Sequence, residues 1–226
     1  MTSSPEAGGP GPGDPQRTVV HLLRHGEVHN PHRLLYGRMP GYHLSALGRR
    51  MADLAAEHLA DHDITHLVSS PLERARETAA PLADALGLEV HLDDRVIEAV
   101  NHFEGLPVAG GSGILKHPRL YPKMLNPFRP SWGEPYVEIV ERMRLAVDDA
   151  RAAARGHEAV VVSHQAPIWM LRLATESRPL WHNPANRECT LASLTSLTFL
   201  DDELLSLSYS EPAASLLDQA QSGAGA

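Results

Sequence analysis

Two short runs of apolar, largely β-branched residues constrain the fold of this chain more than any other feature. They are Thr18–Leu23 (TVVHLL) and Glu158–Ser163 (EAVVVS), and the second shows no apolar–polar alternation. Strands of this kind are buried on both faces, as in a parallel sheet that helices cover on each side. Each run stops at residues able to do chemistry, the first at Arg24-His25 and the second at His164.

Segments with helical periodicity separate the predicted strands. From Ser45, a suitable N-cap, apolar residues recur at helical spacing as far as Leu59. The other predicted elements are helices over 71–86, 135–155 and 165–176, strands over 65–69 and 88–92, and an edge hairpin of strands over 191–200 and 203–209. This order predicts an α/β fold, a three-layer α/β/α sandwich with a mainly parallel sheet.

The chain divides into one domain and two tails. Residues 1–17 are rich in Gly and Pro and are predicted to be a disordered tail, residues 18–212 form the domain, and residues 213–226 are predicted to be a flexible tail. Within the domain, residues 106–134 lack periodicity and collect several Gly and Pro residues. A loop of this length in a compact domain is often a lid, so we expect this insertion to cap a site.

Composition excludes several classes of function. A formal net charge of -8 argues against a nucleic-acid binder, which needs a basic surface. Cys189 is the only cysteine, so an internal disulfide and a cysteine-based metal site are excluded, and a reducing compartment is the simpler expectation. Neither end of the sequence has an apolar run typical of an export signal or membrane anchor, so we expect a cytoplasmic protein without a membrane partner.

Candidate functional residues follow four of the predicted strands. Ligands of open α/β sheets bind beyond the carboxyl ends of the strands, where such residues converge. The candidates are Arg24 and His25 after the first strand, the segment 69–74 with Arg74 after the second, Glu98 after the third, and His164 after the long apolar strand. The sequence therefore predicts one site at this edge of the sheet.

The residue types at this edge suit phosphoryl transfer. Arg24 and Arg74 offer planar, charged forks that match phosphate oxygens, and a neutral His25 can attack phosphorus. His164 is expected to stabilise the transferring group. Glu98 is the candidate acid that protonates the leaving oxygen and later accepts a proton from water. Glu104 lies six residues further on, and for either residue the alternative is a solvated loop carboxylate. The prediction requires no metal and no cofactor.

These segments resemble the histidine phosphatase superfamily, which includes cofactor-dependent phosphoglycerate mutases and many phosphatases. The matching segments are LLRHGEVHN at 22–30, LSALG at 44–48, SSPLERARETA at 69–79, IEAVNHFEG at 97–105 and VVVSHQ at 160–165. The resemblance spans most of residues 18–210. It implies a three-layer α/β fold, a phosphohistidine at His25, phosphate contacts from Arg24, Arg74 and His164, and Glu98 as general acid.

The sequence departs from the family pattern at three positions. Pro31 stands six residues after the nucleophile, where family members often carry Asn, and Asn30 comes one place earlier. Gln165 and Asn101 stand where the family usually has Gly. We keep Asn30 as a candidate phosphate contact and expect the shape of the pocket to differ.

Substrate choice is expected to lie around the insertion and the mouth of the site. Arg38 is a candidate substrate contact, with loop packing as the equal alternative. Cationic and aromatic residues of the insertion suit a phosphorylated, partly polar ligand, although a solvated face would have the same composition. These residues are Lys116, Arg119, Tyr121, Lys123, Arg129 and Trp132.

The sequence predicts a phosphoric monoester hydrolase acting on a small phosphorylated metabolite, and it leaves two alternatives open. One is a phosphoglycerate mutase-like isomerase, and the other is a phosphate-ligand binding module without turnover. The 14 histidines invite a metal site, yet no HExxH motif or carboxylate-rich set accompanies them, so we expect none. A homodimer remains open, because two-fold dimers are common while no exposed apolar stripe demands one.

Overall fold

The computed structural model describes residues 15–107 and 133–220. Its centre is a six-stranded sheet in the order β3-β2-β4-β1-β5-β6. The strands are β1 (Arg17–Arg24), β2 (Ile64–Ser69), β3 (Val90–Leu92), β4 (Glu158–Ser163), β5 (Leu194–Leu200) and β6 (Glu203–Ser210). The helices are α1 (Ala46–Leu59), α2 (Glu73–Leu86), α3 (Tyr136–Ala153) and α4 (Gln165–Thr175).

The four strands that precede the predicted site residues are parallel to one another. β1 pairs with β4, β4 with β2 and β2 with β3 in parallel register, whereas β5 and β6 are antiparallel additions beside β1. The carboxyl ends of β1, β2 and β4 therefore meet at one edge. This arrangement confirms the predicted mainly parallel sheet and gives every loop that leaves those ends the same direction.

Helices cover both faces of the sheet, which confirms the three-layer prediction. Successive residues of β4 point to opposite faces, so Val161 packs in one core with side chains of α3 and α4, and Val160 packs in the other with side chains of α1 and α2. Both valines are 0% exposed. The β4 sequence shows no apolar–polar alternation because both of its faces pack against apolar side chains.

Local stop signals fix the ends of the helices. The Ser45 hydroxyl accepts a hydrogen bond from the Gly48 N–H (2.9 Å) and caps α1, as predicted. Gly87 ends α2 with a left-handed φ of 66°, also as predicted. Helix α2 begins at Glu73 rather than at Pro71, because Leu72 keeps an extended backbone.

The predicted flexible C-terminal tail from residue 213 is wrong over its first half. Residues Ala214–Gln219 form a short 3-10 helix, and Leu216 is buried against Met51 of α1 and Ala192. Burial of these apolar groups offsets the cost of ordering the segment. Residues 221–226 lie outside the described part of the chain, so the prediction for them stays open.

The described residues include only the ends of the predicted N-terminal tail and of the predicted cap. β1 begins at Arg17, inside the predicted N-terminal tail, and the backbone of Gln16 bonds to Asp201, with its carbonyl accepting from the Asp201 N–H (2.8 Å). The prediction for residues 1–14 and most of the predicted cap, residues 108–132, lie outside the described residues. Isolated bridges tie the two ends of the cap to the domain, at Leu34–Pro107 and Asn101–Gly133. The capping role stays a prediction.

β5 and β6 form the predicted hairpin at the edge of the sheet. Asp201, with a φ of 50°, lies in the turn between them.

Within residues 15–107 and 133–220, none of the helices combines the length and the apolar character needed to span a bilayer.

Candidate active site

The five residues predicted as catalytic converge at the carboxyl edge of the sheet. Arg24 ends β1 and His25 follows it, Arg74 lies in the first turn of α2, Glu98 follows a short 3-10 helix after β3, and His164 joins β4 to α4. All five are buried, and His25, Arg74 and His164 are 0% exposed. These residues come from four separate chain segments, so the pocket exists only in the folded sheet.

His25 is held as a neutral imidazole with one free nitrogen. Its Nδ1–H donates to the Gly26 carbonyl oxygen (2.8 Å), which leaves the lone pair on Nε2. Burial, together with the neighbouring Arg74 and Arg24, lowers the pKa of His25 well below its usual value. Nε2 is buried and has no hydrogen-bond partner among the described residues. An unprotonated nitrogen in this state is able to attack an electrophile.

His164 lies beside His25 and is also neutral. The two ring centroids are 5.1 Å apart. Its Nε2 shares a hydrogen bond of 2.8 Å with the Ser70 hydroxyl, and its buried Nδ1 has no partner in the described part of the chain. Burial lowers the pKa of His164 well below its usual value, and the charges of Arg74 and Arg24 add to this effect. At neutral pH the positive charge of the site therefore resides on the arginines.

Arg24 and Arg74 present N–H groups that no described protein group satisfies. Arg24 donates from Nη1 to the Cys189 carbonyl oxygen, and Arg74 donates from Nη2 to the Gly37 carbonyl oxygen, both at 2.7 Å. The Arg24 Nε and the Arg74 Nε and Nη1 atoms are buried without a described partner, and neither residue forms an ion pair with a described carboxylate. Unpaired buried donors of this kind are costly, so they fit an anionic ligand.

Close backbone contacts fix the loop that carries His25. The Thr78 hydroxyl accepts from the Gly26 N–H (3.1 Å) and donates to the Arg74 carbonyl (2.7 Å), which joins this loop to α2. A Cβ atom on Gly26 would lie 2.4 Å from the Gly48 carbonyl oxygen, and one on Gly48 would lie 2.0 Å from the Glu27 carbonyl oxygen. Only glycine allows α1 and this loop to approach so closely.

Glu98 has one carboxylate oxygen that is free of hydrogen bonds to the described residues. Its Oε1 accepts from the Ala99 N–H (2.8 Å), whereas Oε2 is buried without a described partner. Two arginines fasten the loop around it: Arg38 donates from Nε to the Glu98 carbonyl oxygen (2.6 Å), and Arg142 donates from Nη1 to the Ile97 carbonyl oxygen (2.7 Å). The carboxyl group is therefore positioned by backbone contacts on both sides.

The two remaining candidates hold loops in this structure. Besides its bond to Glu98, Arg38 pairs with Glu134 (3.0 Å). The Asn30 amide donates to the Leu34 carbonyl oxygen (2.8 Å) and accepts from the Leu34 N–H (3.0 Å), so it closes its own loop. The predicted ligand contacts of Arg38 and Asn30 stay predictions, because the side chains of both residues form hydrogen bonds to loop residues of the protein.

Sequence reasoning assigned no individual roles to the residues that support this site, although Ser70 lies in the candidate segment 69–74. Ser70, Thr78 and Arg142 act through hydrogen bonds to groups distant in sequence, and no periodic pattern marks them. Ser70 and Thr78 do lie inside the segment SSPLERARETA that carries the family resemblance. Arg187, unassigned from the sequence, also lies close enough to influence the site electrostatically.

A separate histidine cluster lies at the opposite end of the sheet. His21 Nε2 and His62 Nδ1 both approach the same Glu158 oxygen, at 2.8 and 2.7 Å. Their ligand-type atoms lie within 4.8 Å of one another, and no other group of three or more His, Cys, Asp or Glu residues in the described part of the chain comes as close. Hydrogen bonding among them satisfies these groups, and His21 also bonds to the Ser196 hydroxyl (2.7 Å).

A sandwich of this topology, with two neutral imidazoles, two arginines without carboxylate partners and a buried carboxyl group at one edge, has the charge and geometry that suit an anionic ligand. The chain belongs to the histidine phosphatase superfamily (branch 1), whose family model matches residues 20–211. This superfamily includes both phosphatases and mutases. The family resemblance drawn from the motifs is thereby confirmed.

Known relatives agree with this assignment. The uncharacterized protein Rv0525 of Mycobacterium tuberculosis is 53% identical over 200 residues, which cover 88% of this chain and 99% of that protein. A probable phosphoglycerate mutase, GpmB of Yersinia enterocolitica, is 35% identical over 150 residues, or 64% of this chain and 68% of the relative. The solved mycobacterial glucosyl-3-phosphoglycerate phosphatase Rv2419c is 29% identical with a TM-score of 0.67, covering 87% of this chain and 98% of that structure.

Proposed function

We propose that this protein is a metal-independent phosphoric monoester hydrolase that cleaves a small phosphorylated metabolite through a phosphohistidine at His25. The carrying observation is the buried, unprotonated His25 Nε2, which lies beside arginine N–H groups that have no described partner. A nucleophile without a proton needs no separate base. Two guanidinium groups supply the positive charge that the transferring phosphoryl group requires.

The first half-reaction moves the phosphoryl group to the enzyme. His25 Nε2 attacks phosphorus, the N–P bond forms, and the P–O bond to the leaving group breaks. Arg24 and Arg74 hold the equatorial oxygens. His164 donates a further hydrogen bond from Nδ1–H, while its Nε2 accepts a hydrogen bond from the Ser70 hydroxyl. Glu98, in its protonated form, gives its proton to the leaving oxygen.

The second half-reaction returns the enzyme to its starting state. Water enters where the leaving group departed, and the Glu98 carboxylate accepts one of its protons as oxygen attacks phosphorus. The N–P bond breaks, inorganic phosphate is released, and His25 recovers the lone pair on Nε2. The hydrogen bond to the Gly26 carbonyl oxygen keeps the proton on Nδ1 throughout both steps. The reacting nitrogen is therefore always Nε2.

The relatives support hydrolysis of a metabolite ester. The glucosyl-3-phosphoglycerate phosphatase Rv2419c has been solved in complex with VO3 and in complex with inorganic phosphate. By analogy, the arginine pair of this chain would receive the same groups. The similarity to GpmB favours a second candidate, a mutase that returns the phosphoryl group to a different oxygen of the product.

Turnover of a generic aryl phosphate in the presence of EDTA tests the proposal. We expect metal-independent hydrolysis by the wild type and none by His25→Ala. In a second assay, we expect the wild type to release phosphate from members of a panel of phosphorylated metabolites. Isomerisation of a phosphorylated acid without phosphate release would favour the mutase. Ligand binding without turnover on any ester would favour the binding module. A cytoplasmic location and a homodimer stay predictions.

A further inference from the structure

Arg187 is a half-buried cation whose described partners are neutral. It follows the short 3-10 helix Pro184–Asn186, in the segment between α4 and β5. Its Nε donates to His182 Nε2 (2.9 Å), and its Nη1 lies 3.4 Å from the Gln165 side-chain oxygen. The adjacent Glu188 pairs with Arg172 instead (2.5 Å). No carboxylate among the described residues forms an ion pair with Arg187.

The His182 ring orients this guanidinium group. His182 Nδ1–H donates to the Leu180 carbonyl oxygen (2.8 Å), so its Nε2 carries the lone pair that accepts from Arg187. Burial lowers the pKa of His182, and the positive charge of Arg187 adds to the effect, so the ring stays neutral. The Tyr136 and Trp169 rings lie against it, with centroids 5.8 and 6.1 Å away. Arg187 is thus held in place without being neutralised.

A short chain of contacts joins Arg187 to the phosphoryl pocket. Gln165 directly follows His164, and its amide nitrogen lies 3.3 Å from the Cys189 carbonyl oxygen. That same oxygen accepts from Arg24 Nη1 at 2.7 Å. Burial lowers the pKa of Arg187, and the charges of both Glu98 and Arg24 act on it, so Arg187 is close enough to both residues to interact with them electrostatically.

The charge balance of the site exceeds what one phosphoryl group needs. Arg24 and Arg74 provide the two forks that a phosphoryl dianion uses, and neither is neutralised by a described carboxylate. Arg187 adds a third guanidinium group that interacts electrostatically with Arg24. A partly buried charge without an ion-pair partner is unfavourable in the free protein, so it favours the binding of an anion. In an otherwise acidic chain of net charge -8, this local excess calls for a ligand with more than one anionic group.

We propose that Arg187 forms a second anion subsite, which binds a carboxylate or a further phosphate carried by the same substrate molecule. The inference rests on the proposed function, because it takes the arginine pair as the phosphoryl site. Its consequence is selectivity: a phosphomonoester with a second anionic group binds better than the same ester with a neutral group in that place.

Calorimetric titration in a His25→Ala background tests the subsite without turnover. Two matched ligand pairs separate the two sources of negative charge. One pair is 3-phosphoglycerate and glycerol 3-phosphate, which differ in a carboxylate, and the other is fructose 1,6-bisphosphate and fructose 6-phosphate, which differ in a phosphate. We expect the more anionic member of at least one pair to bind about ten-fold tighter, as expected for one charge-assisted contact.

The expected result is loss of this preference in His25→Ala/Arg187→Gln and its partial retention in His25→Ala/Arg187→Lys. Arg178 supplies the control, since it is exposed and pairs with Glu176 (2.7 Å), so His25→Ala/Arg178→Gln should keep the full preference. Equal binding within both pairs in the His25→Ala parent, or a preference that survives Arg187→Gln, overturns the subsite. Failure of the proposed function would appear separately, as absence of wild-type phosphate release.

Discussion

At the scale of single residues, the candidate site contains neutral histidines beside positively charged arginines. The imidazoles of His25 and His164 are neutral because burial and the arginines keep their pKa values low. Arg24 and Arg74 carry the positive charge and keep N–H groups available. In the proposed mechanism, the nucleophile and the phosphate-binding groups are therefore different side chains.

Removing the proton donor should affect esters according to their leaving groups. In Glu98→Gln, hydrolysis of an alkyl phosphate should fall about 10²- to 10⁴-fold, because its alkoxide needs a proton as the P–O bond breaks. A nitrophenyl phosphate, whose leaving oxygen is stable without a proton, should lose much less in the phosphorylation step. Steady-state kcat/KM for both esters measures this difference.

Glu104→Gln is the control for this prediction. Glu104 accepts a hydrogen bond from the Arg38 N–H (3.0 Å) in the neighbouring loop. Its replacement should therefore lower kcat/KM only slightly, and by the same factor for both esters. An equal loss for both esters in Glu98→Gln would contradict the role of Glu98 as proton donor.

The geometry of Arg74, and not its charge alone, should determine phosphate binding. Arg74→Lys keeps the charge but loses the fork that bonds Gly37 while facing the ligand, so kcat/KM should fall about 10²-fold or more. Arg76→Lys, on the exposed side of the same helix, provides a matched control with activity near wild type. Comparable activity of Arg74→Lys and wild type would contradict the bidentate role.

At the scale of secondary-structure elements, the site depends on how closely α1 approaches the loop after β1. Gly48 lies inside α1, where alanine is ordinarily the better helix former. Here a Cβ atom would meet the Glu27 carbonyl oxygen, which is backbone and cannot move aside alone. Packing between these two elements thus overrides helix propensity at this position.

Gly48→Ala should destabilise the protein by about 1–3 kcal/mol, because it forces apart two packed backbone segments. Chemical denaturation measures the free energy of unfolding. Arg50→Ala, at an exposed position of the same helix, should change stability by less than about 0.5 kcal/mol. An increase in stability in Gly48→Ala, as propensity alone predicts, would show that the close approach is absent.

The sequence predicted these elements best where periodicity and end signals coincide. The bounds predicted for β4 match the structure, because an apolar run between Gly156 and His164 admits one interpretation. The short 3-10 helix over Ala214–Gln219 was missed because its burial depends on Met51, far away in the sequence. The convergence of the five catalytic candidates could be predicted because each lies near the end of a strand, whereas Arg187 comes from a loop without such a marker. Their catalytic roles stay predictions.

At the scale of the whole molecule, an acidic chain contains a positively charged pocket. The net charge of -8 is unfavourable for binding nucleic acid, so the absence of such a partner stays a prediction. In the proposed function, the buried arginines bind a small anion. The buried histidines also make the fold as a whole sensitive to pH. His21, His25 and His164 all have pKa values lowered, chiefly by burial.

Stability should therefore fall on mild acidification. As pH drops below about 6.5, the unfolded chain binds protons at these histidines while the folded chain does not. The free energy of unfolding should decrease by up to about 1.4 kcal/mol per pH unit for each such histidine. Denaturation curves between pH 8 and pH 5.5 check this, with a shallower slope expected for His164→Gln. Constant stability across this range would contradict neutral histidines in the fold.

The central claim is that His25 becomes phosphorylated during turnover. Rapid acid-free quenching of the wild type with a phosphate ester, followed by peptide mass spectrometry, measures this directly. The account predicts a phosphoryl group on the His25 peptide that is labile in acid and stable in base, and that is absent in His25→Ala. Phosphate release from the wild type with no modification at His25, or undiminished turnover by His25→Ala, would contradict it.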